Sequence, residues 1–338
     1  MTIPVAVLTG FLGSGKTTLL RRILADPRYA GTAVIVNELG AVGLDHDLVA
    51  RSEEDLVALA TGCLCCSVRG DLVRTLLELE ARRAAGGVPP YGRVVIETSG
   101  LADPAPILHA LMTDADLGAG HALDRVVTVV DALHGEATLD RHPEARRQAA
   151  LADRIVVSKT DLAGGIPAEL AGRLAALNPM APRLAAVAGA IAPDRLLAAG
   201  GAGAADVGDL VRALARAGDG PAAGAWHSQG IAAIALVRDA PLPAVALTLF
   251  LQALAEHCGA DLLRLKGIVA LAEAPERPVV VHGVQHVLHP PEWLERWPGD
   301  DRRTRIVVIG RAIPGQWPGR LLDAIIAEVA EESRRRGT

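Results

Sequence analysis

The sequence is poor in aromatic residues, cysteine and lysine. Phe, Trp and Tyr make up 2% of a chain that is half apolar, so its core must be built from aliphatic side chains. No apolar run reaches the roughly 18 residues that cross a bilayer, and the chain does not begin with a basic segment and a cleavable apolar stretch. The net charge is −5, and no basic face is evident. We therefore expect a soluble cytoplasmic protein without membrane or nucleic-acid partners.

Lysine occurs only at Lys16, Lys159 and Lys266, whereas arginine is used almost everywhere else. A lysine kept in an arginine-rich chain indicates a position that needs a compact point charge rather than a planar guanidinium. Two of the three lie in the motifs described below. Lys266 lies in an apolar strand and predicts a specific contact in the second domain or to a partner protein, with chance as the alternative.

The order of apolar segments predicts two domains. Near-continuous apolar strands alternate with helices over residues 1–190, which predicts a doubly wound, mostly parallel α/β sheet. The glycine-rich motif at Gly10–Thr17, described below, makes it a sheet of the P-loop NTPase type. Residues 191–226 are rich in Gly and Ala and predict a linker. Residues 227–335 predict a smaller α+β domain.

The predicted strands are Ile3–Thr9, Ala33–Asn37, Val94–Thr98, Val126–Asp131, Ile155–Ser158, Ile231–Val237, Leu263–Ala270, Val279–His282 and Arg305–Ile309. The predicted helices are Lys16–Ala25, Ser67–Ala84, Pro104–Met112, Pro167–Leu177, Pro243–His257 and Pro318–Arg334.

The segment Gly10–Thr17 fits the phosphate-loop pattern G-x-x-x-x-G-K-[ST] and joins an apolar strand to a helix, as that motif requires. Its glycines let backbone N–H groups turn toward phosphates, and the helix N-terminus adds positive potential. We expect Lys16 at the β- and γ-phosphates and the Thr17 hydroxyl on Mg²⁺. The predicted phosphate-binding residues are Gly10, Gly13, Ser14, Gly15, Lys16, Thr17 and Thr18.

A second motif, Ser158-Lys159-Thr160-Asp161, follows a predicted strand. The Asp161 carboxylate can accept hydrogen bonds from the ring N–H and the exocyclic amine of guanine, which selects guanine over adenine. The Lys159 stem can pack along the base. A helix cap is the alternative role for Thr160 or Asp161. Together with the phosphate loop, the motif favours a GTPase over an ATP-dependent kinase.

The motif Glu97-Thr98-Ser99-Gly100 ends another predicted apolar strand and contains a carboxylate. Glu97 can orient the Mg²⁺ shell or the attacking water, and Gly100 can offer its N–H to the γ-phosphate. Asp131 also ends a parallel strand and competes for the carboxylate role. A plain strand-end turn is the alternative.

The polar segment Glu38–Asp47 follows the second predicted strand and contains glycines. In a P-loop GTPase this position suits a switch segment that the γ-phosphate orders. Metal binding and a solvated loop are the alternatives. We assign catalysis to Lys16, Glu97 and Glu38.

Three of the four cysteines lie together, at Cys63, Cys65 and Cys66. Thiolates at this spacing can converge on one soft or borderline ion such as Zn²⁺ or Co²⁺. A closed structural zinc site needs four ligands, and Cys258 is isolated, so we predict an exchangeable site. Packing is one alternative, and redox chemistry is another, although C-x-C-C is not the redox spacing. A second group, His282, His286 and His289, predicts either a metal site or surface and packing roles.

These motifs, in the order GFLGSGKTT, VNELG, GCLCC, ETSGLADP and SKTDL, resemble those of the CobW-like P-loop GTPases. The second domain is similar too, in LLRLKGIVAL, VVVHGVQHVL and RIVVIGR. The resemblance covers Ile3 to about Glu328, and its most specific part is the phosphate loop combined with C-x-C-C. It implies a cytoplasmic GTP hydrolase that acts as a metallochaperone or insertase for a client metalloprotein.

The resemblance implies roles for individual residues. Glu97 and Gly100 would be the Glu-x-x-Gly Walker B element, and Ser158, Lys159 and Asp161 would recognise guanine, with Ser where many relatives have Asn. The metal ligands would be Cys63, Cys65 and Cys66.

Two positions depart from the family pattern, since Leu39 and Ala41 stand where many relatives have Phe and Glu. The expected function is delivery of one metal ion under control of GTP. A metal-responsive GTP-binding adaptor with negligible turnover is the alternative, and an oligomer is compatible with either.

Overall fold

A computed structural model of the chain describes residues 2–37, 58–60, 68–191, 196–197, 210–214 and 230–336. The chain divides into two compact units. One comprises Met1–Gly172 and Ala181–Gly203, and the other comprises Arg173–Met180 and Ala204–Thr338. The predicted linker of residues 191–226 lies mostly outside the described residues.

The first unit contains a parallel sheet of seven strands in the order β3-β2-β4-β1-β5-β6-β7. Because every pair in this sheet is parallel, the carboxyl ends of the strands meet at one edge. The strands are β1 (Ile3–Gly10), β2 (Thr32–Asn37), β3 (Ala58–Ala60), β4 (Arg93–Thr98), β5 (His121–Asp131), β6 (Arg154–Ser158) and β7 (Arg183–Ala185).

Helices connect these strands. They are α1 (Lys16–Leu24), α2 (Val68–Ala84), α3 (Ala105–Thr113), α4 (Ala115–Gly120), α5 (Gly135–Arg141), α6 (Pro143–Leu151), α7 (Thr160–Ala163) and α8 (Ala168–Leu177). On the face of the sheet that α1 covers, Leu19 and Leu20 of this helix join Ala6, Leu8 and Val129 in one buried cluster. Apart from Tyr29, the cluster is aliphatic, as the low aromatic content predicts.

The second unit contains an antiparallel sheet in the order β11-β10-β9-β13-β8, with β12 paired to β10. Its strands are β8 (Ile231–Arg238), β9 (Leu262–Val269), β10 (Val279–Val284), β11 (Val287–Leu288), β12 (Glu292–Trp293) and β13 (Thr304–Arg311). Its helices α9 (Ala244–Cys258) and α10 (Trp317–Arg336) pack on a core that includes Phe250, Leu265 and Val308.

The fold class predicted from the sequence is confirmed: a P-loop-type parallel α/β sheet is followed by a smaller α+β domain. All nine predicted strands and all six predicted helices are present. The main shift is at β5, which begins at His121 rather than Val126. The sequence did not predict the short strands β3, β7, β11 and β12 or the short helices α4 to α7.

Candidate functional site

The phosphate loop joins β1 to α1 through glycines that no other residue can replace without strain. Gly10 has a φ of 143°, and a Cβ there would lie 2.3 Å from the Val129 carbonyl oxygen. Gly13 and Gly15 also have positive φ, at 70° and 96°, and Gly15 caps α1. Only glycine adopts these conformations readily. The loop therefore has the local geometry that turns backbone N–H groups toward an anion.

Lys16 begins α1 and is only 9% exposed. Its ammonium group donates to two carbonyl oxygens of its own loop, at 2.9 Å to Gly10 and 3.2 Å to Phe11. These contacts hold the Lys16 ammonium group against the backbone of the phosphate loop. Thr18 follows on the exposed side of α1, close to Gly189 of the segment after β7.

Thr17 and Glu97 meet directly, although they come from different elements. The Thr17 hydroxyl donates to Oε1 of Glu97 at 2.8 Å. Glu97 is near the end of β4, which pairs with β1 in parallel, and only 5% of it is exposed. A hydroxyl oxygen and a carboxylate oxygen, side by side next to a phosphate loop, are the hard donors that suit Mg²⁺.

Gly100 contacts the phosphate loop from the segment that follows β4. A Cβ at this position would lie 2.7 Å from the backbone nitrogen of Leu12 and 2.7 Å from its Cδ2. Any other residue would therefore push the two segments apart. The structure brings Gly100 to the same edge as Lys16 and Thr17.

The Ser-Lys-Thr-Asp motif also lies against the phosphate loop. The Ser158 hydroxyl donates to the Ser14 carbonyl oxygen at 2.6 Å, and the Lys159 ammonium donates to that of Gly13 at 3.0 Å. Lys159 has a φ of 57°, an uncommon conformation for a non-glycine residue. These contacts join the predicted base-recognition segment to the predicted phosphate-binding segment.

The segment after β7 belongs to the same edge, which the sequence did not reveal. The Thr160 hydroxyl donates to the Ala186 carbonyl oxygen at 2.9 Å. The exposed Asp161 carboxylate accepts the Ala188 N–H at 3.1 Å, and Ala188 has a φ of 49°. Nothing in the sequence of residues 186–190 beyond small residues marks this role.

Asp131 pairs with Lys159 rather than with Thr17. Its Oδ2 lies 2.6 Å from the Lys159 Nζ and 3.1 Å from the His134 Nδ1, and its Oδ1 accepts the Leu133 N–H at 2.7 Å. Burial raises the pKa of Asp131, but Lys159, Leu133 and His134 lower it by more, so the pKa lies below its usual value. Of the two carboxylates that competed for the position beside Thr17, the structure places Glu97 there.

The remaining predicted site residues divide into two groups. Glu38, Cys63, Cys65 and Cys66 lie outside the described residues. In the second unit, the His282 and His289 rings meet edge to face with centroids 5.8 Å apart, and the His282 Nε2 lies 3.7 Å from Glu292. Within the described ranges, no group of three His, Cys, Asp or Glu side chains has the arrangement of a metal site.

The parallel sheet and its glycine-rich loop define a P-loop nucleotide-binding protein. The family model described as "CobW/HypB/UreG, nucleotide-binding domain" matches residues 4–185, and "Cobalamin synthesis protein cobW C-terminal domain" matches residues 231–326. The chain belongs to this family of nucleotide-binding proteins.

Individual relatives resemble the chain over most of its length. The zinc chaperone YjiA of Escherichia coli is 33% identical over 317 residues, which span 92% of this chain and 95% of that protein. The zinc chaperone CobW of a Sinorhizobium species is 31% identical and spans 91% and 92%. The crystal structure of Zn(II)-bound YjiA GTPase from E. coli has a TM-score of 0.72 at 26% identity and covers 96% of this chain and 99% of that chain.

A third relative matches only in part. The zinc-regulated GTPase metalloprotein activator 1 of Schizosaccharomyces pombe is 36% identical over 167 residues, which cover 47% of this chain and 39% of that protein. Among the helices that the structure describes, none is long and apolar enough to cross a membrane.

Proposed function

We propose that this chain is a GTP-hydrolysing metallochaperone, which binds a transition-metal ion and passes it to a client metalloprotein under control of its nucleotide state. The observation that carries the nucleotide half is the hydrogen bond of 2.8 Å between Thr17 and Glu97 beside the phosphate loop. The metal half is supported by the relatives, two of which are named zinc chaperones and one a metalloprotein activator.

The residues at the sheet edge fit Mg²⁺-GTP. The N–H groups of Gly13 to Thr18 would cradle the phosphates, and Lys16 would exchange its contacts with the Gly10 and Phe11 carbonyls for the β- and γ-phosphates. Thr17 and Glu97 would hold Mg²⁺, which neutralises phosphate charge when bound.

Hydrolysis then requires an in-line attack of water on the γ-phosphorus, which breaks the bond to the β,γ-bridging oxygen and gives GDP and phosphate. Lys16 would stabilise the charge that develops on the phosphate oxygens. We assign orientation of the water to the carboxylates of Glu97 and Glu38, and contact with the γ-phosphate to the Gly100 N–H.

Guanine selection is assigned to the second motif. Asp161 would accept from the two donors of guanine, and Lys159 would lie along the base while its ammonium stays on Gly13. The Ala186–Ala190 segment would form the other side of the pocket, because Thr160 and Asp161 both bond to it.

The cargo ion, Zn²⁺ or Co²⁺, would be bound by the thiolates of Cys63, Cys65 and Cys66. This motif follows the Glu38–Asp47 segment by about 16 residues and directly precedes α2. The Glu38–Asp47 segment itself follows β2, whose last residue Asn37 pairs with Thr98 of β4. A γ-phosphate that orders the segment would therefore alter the metal site, and hydrolysis would loosen the ion.

The domain bounds of 1–190 and 227–335 and a cytoplasmic location remain part of this proposal. In this proposal the metal is the cargo rather than a structural ion, because three clustered cysteines are one ligand short of a closed tetrahedral zinc site.

The direct test measures GTP affinity and GTP turnover of the wild type and of Lys16→Ala. We expect the variant to bind Mg²⁺-GTP roughly 100-fold more weakly, because it loses the only side-chain cation of the phosphate loop. Arg74→Ala, which removes an exposed cation of α2, serves as the control. Unchanged GTP affinity in Lys16→Ala contradicts the site assignment. Negligible wild-type turnover with metal and client present would favour the adaptor, and preferential binding of ATP would favour a kinase.

A further inference from the structure

Gln148 is a fully buried polar residue of α6 that faces the segment carrying Gly100. Its side-chain nitrogen lies 3.2 Å from the Gly100 carbonyl oxygen and 3.0 Å from that of Ala102, and 0% of the residue is exposed. Since both neighbours are acceptors, the amide must present its NH₂ group to them. Two of the carbonyls in the segment after β4 are therefore held by one side chain.

The orientation of this amide leaves its oxygen without a hydrogen bond. The Gln148 Oε1 is buried and has no partner among the residues that the structure describes. Gln148 lines a cavity of about 200 Å³, together with Leu12 and Gly13 of the phosphate loop. A buried, unpaired acceptor costs stability. An apolar side chain of the same size would avoid that cost, but it could not hold the two carbonyls.

The segment that Gln148 holds is fitted tightly to the phosphate loop. The Gly100 Cα is so close to the Leu12 backbone that a Cβ would collide with it. A turn, in which the Ala102 N–H donates to the Ser99 carbonyl oxygen at 3.1 Å, fixes the shape of the segment. A shift of the Gly100 carbonyl would therefore move the N–H groups on either side of it relative to the phosphate loop.

We propose that Gln148 is a positioning residue for recognition of the γ-phosphate. By holding the Gly100 and Ala102 carbonyls, it keeps the peptide groups around Gly100 in the orientation that contacts the phosphate that GTP has and GDP lacks. The inference rests on the proposed GTPase function, because it assigns a γ-phosphate contact to this segment.

The test compares the affinities of the wild type, Gln148→Glu and Gln148→Met for Mg²⁺ with a non-hydrolysable GTP analogue and with GDP. Glutamate keeps the size but offers no NH₂ donor, and methionine keeps the volume without polarity. We expect the affinity of both variants for the GTP analogue to fall roughly tenfold, because two buried hydrogen bonds are lost. We expect their affinity for GDP to change less than about twofold. A selective loss for the GTP analogue is a readout that general destabilisation does not produce.

Thr128→Val is the matched control. The Thr128 hydroxyl donates to the Gln148 backbone carbonyl at 2.7 Å, so this variant weakens the anchoring of the same helix residue without touching the Gly100 segment. We expect it to leave the ratio of GTP-analogue to GDP affinity unchanged. An equal change of that ratio in Thr128→Val, or an equal loss of both nucleotides in the Gln148 variants, overturns the inference.

Two further measurements keep the outcomes distinct. Far-UV circular dichroism identifies variants that fail to fold, and if Gln148→Glu does so, Gln148→Met decides. Hydrogen exchange of residues 99–104 in the wild type is expected to slow with the GTP analogue relative to GDP, and equal exchange contradicts the inference. If the wild type binds no GTP, the proposed function fails together with the inference. If it binds and hydrolyses GTP but the variants keep their ratio, only the inference fails.

Discussion

Lys159 and Asp131 form an ion pair with 2.6 Å between Nζ and Oδ2, although they lie at the ends of different strands. The same ammonium group donates to the Gly13 carbonyl oxygen at 3.0 Å. Asp131 therefore fixes a lysine that connects the phosphate loop to the base-recognition motif. The pair lies beside the phosphate loop, and in the proposed GTPase it would support the binding of GTP and GDP alike.

Asp131→Asn is expected to weaken GTP and GDP to a similar extent, roughly fivefold to tenfold. The variant keeps the shape of the side chain but removes the charge that holds Lys159, and a charge-assisted hydrogen bond is worth about 1.5–3 kcal/mol before partial exposure reduces it. Fluorescent GTP and GDP analogues measure both affinities. Asp239→Asn, an exposed carboxylate of the second unit, controls for the change in net charge. A loss confined to GTP contradicts this role.

Asp161→Asn is expected to exchange guanine selectivity for xanthine selectivity. An amide can no longer accept from both guanine donors, but its NH₂ group can donate to the additional carbonyl of xanthine. Competition between GTP and xanthosine triphosphate for the wild type and the variant measures the change. If the variant retains the full preference for guanine, Asp161 does not contact the base.

His121 predicts a pH dependence of stability in the first unit. Its side chain is fully buried, and neither ring nitrogen has a hydrogen-bond partner in the described part of the chain; Glu80 lies 3.6 Å away. Burial lowers the pKa of His121, Glu80 raises it in part, and Arg83 lowers it further, so the net pKa is below the usual 6.5. The unfolded chain then binds a proton more readily than the folded one, and stability falls as the pH drops below about 6.5.

The loss follows from the direction of the shift, because protonation of His121 is disfavoured in the folded chain relative to the unfolded one. Denaturant unfolding of the wild type and His121→Phe at pH 8 and pH 5.5 checks it. We expect the variant to lose less stability than the wild type on acidification. His109→Phe, at a partly exposed histidine of the same unit, is the control. Identical pH dependence in the wild type and His121→Phe contradicts the prediction.

The sequence predicted the elements that have clear apolar patterns. Strands such as β1 and β4 are buried over nearly their whole length, and a strand buried on both faces appears in the sequence as a short continuous apolar run. Strands β3 and β7 have three residues each, too few to show any period. Helices α5 and α6 are short and rich in charged residues, so they resemble a polar connection.

The motif residues could be found from local patterns, but their partners could not. Gly10–Thr17 and the segment around Glu97 follow from sequence signatures because the chemistry of phosphate binding fixes residue types at fixed spacing. The pairing of Asp131 with Lys159 depends on which strands are neighbours in the sheet. Gln148 stands in an Arg-Arg-Gln-Ala-Ala run that indicates a solvated helix face, and only the tertiary structure shows that it is buried.

The chaperone mechanism is tested most directly by the affinity of the protein for Zn²⁺ in two nucleotide states. We predict that competition with a chromophoric chelator gives a roughly 5–150-fold higher Zn²⁺ affinity with Mg²⁺ and a non-hydrolysable GTP analogue than with GDP, which corresponds to a coupling of about 1–3 kcal/mol. Replacement of Cys65 and Cys66 by serine should remove this difference and retain GTP binding in the absence of metal, whereas Cys258→Ser should preserve it. Equal Zn²⁺ affinity of the wild type in the two nucleotide states would contradict the chaperone mechanism, even if the three cysteines bind the ion.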